Sequence, residues 1–446
     1  MARFGTEPIL RLFRRMAIPA VIGQLAVLAN NFLDRMYVGH IEGCGGESLT
    51  AIGLSTPILL FTTAVAALVA GGSPLMAIAL GEQKPEQAHR VVGTSLTFLA
   101  SISLLLTLVI WLFMGDLLTR CGASSEILPY AQAYLGIIIW GVLSTNLTIG
   151  MVQFVTGQGL AKQSMRIIGL SVLLNMLLDP LFIFGFGWGI KGAALATTLS
   201  MTVSALLILR QLFWMDNAIR LRTVHLRMDV RLLGLCLGMG FAPFLAMACE
   251  ALVGTLYNVG LSTYGGDVAV GAMAVYYIIS HIMIYIIMGL SIAMQPIISY
   301  NYGRKSYGRV RKCAYLLIGS CIAVCCLFWG LLMGVPTVVT GLFTNDGEIA
   351  ACAASYVRTY FGCAFLLGVP FACVNTLRFV RRVRRAILLV LFRQVVLSIP
   401  VLLFFPRWGL FPPVESIFLS APLIDVVSGA VMLYFTLKTI RNLKEA

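Results

Sequence analysis

Charged residues are scarce in this 446-residue chain: Lys, Arg, Asp and Glu make up 11% of it, whereas 59% is hydrophobic. A soluble globular protein has about 25% charged residues, so this scarcity excludes a water-soluble domain. Short alternating strands are also lacking, which argues against an outer-membrane β-barrel. In a bilayer the remaining architecture is a helical bundle, because each helix satisfies its own backbone hydrogen bonds.

Motifs that carry chemistry are lacking as well. The chain has no P-loop, which disfavours ATP-driven export, and its GFGWG stretch at 185–189 follows no strand and opens no nucleotide fingerprint. It has no CxxC pair and no His/Cys cluster with the spacing of a zinc site. We find no reactive Ser/His or His/Asp set near a membrane interface. We therefore expect neither an enzyme nor a bound cofactor.

Apolar runs of roughly 20 residues, the length of a membrane-crossing helix, fill most of the chain. The first apolar run lacks the arrangement of a signal peptide that ends in a cleavage site, so we expect it to be retained as a helix. The pattern predicts an all-α integral membrane protein with twelve transmembrane helices. Their predicted ranges are 12–39, 51–79, 91–115, 128–155, 164–186, 192–214, 232–262, 269–300, 313–338, 351–377, 386–405 and 414–437.

Basic residues are distributed unequally between the two sides of these spans. The chain has 32 Lys and Arg residues and a formal net charge of +14. Most of the basic residues fall in loops on one side, whereas the other side has only Arg120, Lys191 and Arg407. The positive-inside rule then places both termini in the cytoplasm. We expect the basic loops to meet anionic lipid headgroups of the bilayer, not nucleic acid, and we see no sign of an obligate protein partner.

The two halves of the chain resemble each other at an offset of about 222 residues. GGSPLMAIALGEQKPEQAHR matches IAMQPIISYNYGRKSYGRVRK. Six spans per half is an even number, so both halves begin on the same side and form a parallel internal repeat. The sequence therefore predicts an N-terminal six-helix lobe at 1–214, a basic cytoplasmic linker at 215–231 and a C-terminal six-helix lobe at 232–446. Two such lobes would enclose a cleft that opens alternately to each side.

Two acids inside the apolar runs break this symmetry. Asp34 lies in the first span and Asp179 in the fifth, whereas their repeat positions hold Asn258 and Ile399. A carboxylate inside a bilayer costs about 2.5–3.5 kcal/mol on insertion scales, so it is a functional candidate by default. A residue that the fold itself needed would be expected in both copies.

Two polar residues accompany these acids at a similar depth. Asn175 precedes Asp179 by one helical turn, and Thr197 lies in the sixth span. Two carboxylates, an amide and a hydroxyl form a set of oxygen ligands for a proton or a small hard cation. Two neighbouring carboxylates cannot both ionise at low cost, which favours reversible uptake of a proton. The predicted cation site is Asp34, Asn175, Asp179 and Thr197, and local hydrogen bonding of the acids is the structural alternative.

Further candidates are weaker. Pro19 removes a backbone hydrogen bond from the first span and predicts a kink that is either static or mobile. Six residues of the second half are candidates for a substrate cavity, where aromatic rings would stack on a cationic ligand, or alternatively for packing. Glu250 in particular either takes part in transport or forms an ion pair, with Arg393 as the candidate partner. The six are Glu250, Tyr276, Tyr277, His281, Arg393 and Asp425.

Several long phrases resemble the multidrug and toxic compound extrusion (MATE) family, in its DinF-like and MepA-like bacterial branch. They are FLDRMYVG, GGSPLMAIALGEQKPEQA, TGQGLAKQSMRI and LLNMLLDPLFIFGFGWGIKGAALAT. The resemblance covers nearly the whole chain. It implies a multi-pass protein of the bacterial plasma membrane that exports small organic compounds, often cationic and amphipathic, in exchange for H⁺ or Na⁺. The cation site of the DinF-like branch falls on Asp34, Asn175, Asp179 and Thr197, and the family's first-helix proline falls on Pro19.

An alternative function on the same fold is a flippase or exporter of a lipid-linked or anionic metabolite. Such a transporter would need a basic cavity for a pyrophosphate or carboxylate group. Arg358 and Arg393 are the residues that hint at one.

Overall fold

The structure is a computed structural model, and it describes residues 3–41, 45–215, 217–343 and 347–443. Within those ranges the chain forms helices joined by short turns and contains no β-strand. Contacts divide it into two compact units, Met1–Glu7 with Arg11–Gly240, and Pro8–Leu10 with Phe241–Ala446. The predicted linker at 215–231 belongs to the first unit. Residues 444–446, which end the predicted C-terminal lobe, lie outside the described residues.

The described part of the first unit begins with ten α-helices. In chain order they are α1 Arg3–Thr6, α2 Ile9–Gly39, α3 Gly45–Ala70, α4 Gly72–Gly81, α5 Pro85–Leu112, α6 Met114–Arg120, α7 Leu128–Ile138, α8 Val142–Gly157, α9 Ala161–Pro180 and α10 Gly189–Phe213. A π-helical segment, Leu181–Gly185, continues α9 beyond its proline. Two 3₁₀ turns, Ile139–Gly141 and Thr223–Leu226, complete the unit.

Helix α11, Val230–Gly303, runs for 74 residues and starts in the first unit. At 1.5 Å per residue it is far longer than the roughly 30 Å hydrocarbon core of a bilayer. Gly266 breaks it, with φ 64° and ψ −163°, a conformation open to glycine. The break falls in the gap that the sequence pattern leaves between residues 262 and 269.

Seven further α-helices follow in the described part of the second unit. They are α12 Tyr307–Gly334, α13 Pro336–Gly341, α14 Gly347–Tyr360, α15 Gly368–Phe379, α16 Val383–Leu391, α17 Ile399–Phe404 and α18 Pro413–Arg441. A π-helical segment, Phe392–Ser398, joins α16 to α17. The range predicted as one helix at 351–377 is instead bent by 63° between α14 and α15. The carbonyl of Gly362 at this bend accepts a hydrogen bond from Trp329 Nε1 at 2.9 Å, so it bonds outside its own helix.

Ten helices of the described chain are long and apolar enough to cross a membrane, and the bent pair adds an eleventh span if it is counted as one. Many large apolar side chains on these helices face outward; Leu177, Leu206 and Leu388 are each more than 60% exposed. Such surfaces are stable against lipid tails and not against water. The chain is therefore an all-helical, multi-pass membrane protein.

Candidate functional site

Helix α2 presents two polar side chains, Asn30 and Asp34, one turn apart on the same face. Each has a buried Oδ1 atom with no hydrogen-bond partner among the described residues. Leaving a buried polar atom unpaired costs about 1–3 kcal/mol. These oxygens therefore mark a place where a proton or a cation would be stabilising. Pro19 lies in the interior of the same helix.

Helices α9 and α10 supply the other predicted ligands. Asn175 and Asp179 are 2% and 1% exposed. Asn175 Nδ2 donates to Asp179 Oδ1 at 3.0 Å and to Thr197 Oγ1 at 3.5 Å. A side chain at Gly192 would place its Cβ 2.7 Å from the backbone carbon of Phe182, so a glycine there permits the close approach of α10 that brings Thr197 to Asn175.

The Asp34 and Asp179 carboxyl groups lie close enough to each other to interact. Two carboxyl groups share a hydrogen bond only when one of them carries a proton, and a bound cation would equally relieve their repulsion. The structure thus brings Asp34, Asn175, Asp179 and Thr197 together inside the first unit. Their role as cation ligands stays a prediction.

Tyr134 of α7 is a neighbour that the sequence analysis missed. It is 6% exposed, and its phenol is near enough to both carboxyl groups of the site to interact with them electrostatically. The repeat contains a signal for it, because the phrase ending in AQAYLG corresponds to the phrase ending in VRTYFG, which matches Tyr134 with Tyr360. Tyr360 in turn lies close to Asp425 in the second unit. A tyrosine at equivalent positions thus accompanies the buried acid of each unit.

We expect Tyr134→Phe to change the ion dependence of transport while leaving the fold intact. The phenol dipole stabilises the carboxyl pair when no cation is bound, so its removal makes cation binding more favourable. A loss of about 0.5–1.5 kcal/mol lowers the half-saturating ion concentration roughly 2- to 10-fold. Measuring export from vesicles against ion concentration checks this. Tyr130→Phe, one turn earlier on the same helix, is the control, and an unchanged half-saturation in Tyr134→Phe would exclude the hydroxyl from the site.

The second unit contains a buried ion pair. Arg393 Nη2 donates to Asp425 Oδ1 at 2.8 Å, and the two side chains are 17% and 7% exposed. Arg393 lies in the π-helical segment, where Ser398 Oγ donates to its carbonyl at 2.8 Å. Tyr257 and Tyr360 lie near the pair. The Arg393 Nε atom is buried without a partner among the described residues.

Glu250 does not form the ion pair that the sequence suggested for it. It is exposed and lies beside Tyr277, whose buried Oη has no partner among the described residues. Arg393 pairs with Asp425 instead. A buried carboxylate requires an opposite charge to offset its desolvation, whereas an exposed one remains solvated, and this difference favours the observed pairing.

Tyr276 and His281 occupy different environments. Tyr276 is fully buried, its Oη donates to the carbonyl of Ala353 at 2.7 Å, and its ring stacks on Tyr360 at 4.9 Å. His281 is exposed, and its Nδ1 donates to the carbonyl of Tyr277 at 2.7 Å. The structure therefore places Tyr276 in the core of the second unit and His281 on a helix surface.

The oxygen set of the first unit is suited to light cations. In the part of the chain that the structure describes, no three His, Cys, Asp or Glu side chains are grouped so that they could hold a metal ion. Carboxylate, amide and hydroxyl oxygens suit a proton or a hard cation such as Na⁺, whereas transition metals prefer imidazole and thiolate ligands. The side chains present thus fit the predicted binding of a proton or Na⁺.

Comparison with known proteins identifies relatives over the whole chain. A family model described as MatE matches residues 19–181 and again 243–404, close to the 222-residue offset of the repeat. The multidrug export protein MepA of Staphylococcus aureus (strain bovine RF122 / ET3-1) is 25% identical over 406 residues, which cover 90% of this chain and 88% of that protein.

Two solved structures share the fold. A crystal structure of MATE in complex with MaL6 has a TM-score of 0.92 and 23% identity, and covers 100% of this chain and 99% of that one. An outward-facing conformation of a multidrug resistance MATE family transporter of the MOP superfamily has a TM-score of 0.91 and 22% identity, and covers 100% and 98% of the two chains. At this identity the likeness establishes the fold.

Proposed function

Because the chain belongs to the MatE family, we propose that it exports organic, often cationic and amphipathic compounds in exchange for H⁺ or Na⁺ that enters the cell. Membership makes it a membrane transporter and not an enzyme. Its relative MepA is named a multidrug export protein, which supports a small-molecule, drug-like cargo for this chain.

The topology that we propose has twelve spans in two six-helix lobes, with both termini in the cytoplasm. The ten apolar helices become eleven spans when α11 is counted as two, because Gly266 interrupts it. The bent pair α14 and α15, counted as one span, brings the number to twelve. The excess of Lys and Arg in one set of loops supports the orientation. Alternating access between the lobes would then carry the cargo across the bilayer.

The observation that carries the proposal is the pair of adjacent carboxyl groups, Asp34 and Asp179, inside the first unit. Without a cation the two carboxylates repel each other, and with one they attract it jointly. Binding would therefore draw α2 towards α9, and release would let it move back. Pro19 supports this motion because a proline removes a backbone hydrogen bond and weakens the helix locally.

The charged side chains proposed for the cavity of the second unit favour an organic cation over an anionic metabolite as the cargo. Asp425 neutralises Arg393, and the exposed Arg358 donates to the carbonyl of Met333 at 3.2 Å. The buried guanidinium of Arg393 thus lacks the unbalanced positive charge that a cavity for pyrophosphate would require. The exposed carboxylate of Glu250 beside Tyr277 supplies an acid and an aromatic ring, which suits a cationic amphiphile.

Purified protein in sealed vesicles tests the proposal directly. The vesicles are loaded with ethidium, and either acid or Na⁺ is added outside. We expect one of the two inward gradients to accelerate ethidium efflux, and an ionophore that collapses the gradient to abolish the acceleration. Efflux that neither gradient accelerates would contradict antiport. Transport of a lipid-linked pyrophosphate instead of ethidium would support the flippase alternative.

A further inference from the structure

The linker segment after α10 is docked on the start of α5. Thr97 Oγ1 donates to the carbonyl of Leu226 at 2.9 Å, which ties the 3₁₀ turn Thr223–Leu226 to the helix. Gly93 faces this turn so closely that any Cβ would overlap the carbonyl of His225. A glycine at residue 93 therefore permits the docking, which forms within the first unit.

Two histidine rings pack against each other at this contact, and His225 is held in the neutral form. His89 and His225 lie 4.7 Å apart between ring centroids, with an interplanar angle of 33°. The backbone N–H of Arg222 donates to His225 Nδ1 at 3.1 Å, so that nitrogen bears a lone pair. His89 Nδ1 donates to the carbonyl of Pro85 at 2.7 Å, so the other ring carries its proton there. A proton added to His225 Nδ1 would destroy the bond from Arg222.

The charges around His225 oppose its protonation. Arg222 on its own segment and Arg90 on α5 are positive, and the neighbouring His89 also disfavours a charged His225. Glu86 Oε2 lies 3.9 Å from His225 Nε2, but that carboxylate is 78% exposed and well screened by water, whereas the His225 side chain is 13% exposed. Burial first, and then the neighbouring His89, lowers the pKa of His225 below its usual 6.5.

We propose that the stacked His89–His225 pair is an acid-sensitive latch, which docks the linker residues 222–229 on α5 at neutral pH and releases them in acid. Histidine is the side chain whose charge changes in this range. In acid a charged His225 lies beside the positive Arg222 and Arg90, and the hydrogen bond from the Arg222 amide that caps the 3₁₀ turn is lost. Both changes favour the undocked segment.

The direction of the pH dependence follows from linkage. The released His225 has its ordinary pKa near 6.5, and the docked one has a lower pKa. Docking is therefore fully stable above about pH 6.5 and loses stability as the pH falls below that value. Each unit of difference between the two pKa values weakens docking about tenfold. Because residues 215–231 are predicted to face the cytoplasm, the latch would sense the pH on the side that proton entry acidifies.

Hydrogen exchange of the full-length protein tests the latch without any substrate. The protection factors of the amides at 222–229 are measured relative to intrinsic exchange rates at pH 7.5 and pH 5.5. We expect protection in the wild type to fall at the lower pH, by up to about tenfold. His225→Asn retains an acceptor oxygen for the Arg222 amide but does not titrate, so its protection should stay high at both values. His40→Gln, which replaces a histidine outside this contact, is the matched control and should behave as the wild type.

Two results would overturn the latch. One is equal protection of the wild type at pH 7.5 and 5.5, and the other is an undiminished fall in His225→Asn. If His225→Asn fails to dock at either pH, His89→Gln decides the matter, because it removes the ring that disfavours a charged His225 and should reduce the acid-induced fall. An undiminished fall in His89→Gln would also contradict the proposal.

Discussion

Vesicles that contain the Asp34→Asn or the Asp179→Asn protein are expected to lose gradient-driven export of ethidium. Asparagine matches aspartate in size but carries no charge, so the site no longer has two carboxyl groups that can bind and release a cation together. The expected loss is about 5- to 150-fold, the range of a coupling free energy of 1–3 kcal/mol between two ligands of one protein. Initial rates of efflux with and without the ion gradient measure it.

The fold is expected to survive either substitution. In Asp179→Asn the new amide oxygen still accepts the hydrogen bond that Asn175 Nδ2 gives to Asp179 Oδ1. In Asp34→Asn the bond between Asn175 and Asp179 is untouched. Asp116→Asn is the matched control, since Asp116 is an exposed acid on α6 and should export at the wild-type rate. Undiminished coupled export by both site variants would exclude the assigned cation site.

Removing one member of the Arg393–Asp425 pair is expected to destabilise the second unit strongly. Arg393→Met leaves the Asp425 carboxylate buried without its counter-ion, and Asp425→Leu leaves the guanidinium in the same situation. Breaking a buried pair in this way costs about 3–5 kcal/mol. Replacing both residues at once removes both charges, so the double variant should recover most or all of the lost stability. Thermal unfolding of detergent-solubilised protein, followed for the wild type and the three variants, measures the effect.

An exposed ion pair in the same chain provides the comparison. Lys84 and Glu82 are 2.8 Å apart, with side chains 60% and 30% exposed. Exposed pairs contribute about 0–1 kcal/mol, so Lys84→Met should leave the unfolding temperature nearly unchanged. If Arg393→Met were as stable as Lys84→Met, the Arg393–Asp425 pair would not be an essential part of the second unit. If the double variant were less stable than both single ones, the idea of an uncompensated charge would be wrong.

The two predictions follow from a difference in how the two units balance the charge of their buried acids. The first unit holds two neighbouring acids, Asp34 and Asp179, whose repulsion a proton or cation from outside the protein would relieve under our proposal. The second unit holds Asp425, whose charge is balanced by the tethered cation of Arg393. A counter-ion that can enter and leave the protein suits ion coupling, whereas a positive charge fixed on a side chain does not. This contrast supports our placing ion coupling in the first unit.

The positions of the helices and the identity of the acids were accessible from the sequence. Long apolar runs predict spans, and a carboxylate in such a run is costly wherever the helix packs. The four residues Asp34, Asn175, Asp179 and Thr197 could be grouped because depth along a helix follows from residue count. The bend between α14 and α15 escaped prediction, because it depends on the hydrogen bond from Trp329 to Gly362, residues far apart in the chain.

Pairings between helices were beyond the reach of the sequence. The choice of Asp425 over Glu250 as the partner of Arg393 depends on which carboxylate is buried. The position of Tyr134 near the acids depends on how α7 packs against α3 and α10. The stacking of His89 on His225 joins residues whose neighbours in the sequence give no hint of contact.

The sequence by itself determined that this chain is a bundle of membrane helices, which loops are basic, and how far along its apolar run each acid lies. These properties depend on the transfer of side chains between water and lipid and on the regular rise of a helix, and both are local. Only the tertiary structure decided which polar groups meet. That choice depends on how neighbouring segments are rotated and how closely they approach. Small residues such as Gly192 and Gly93 allow backbones to come close, and this approach cannot be read from the sequence of either segment alone.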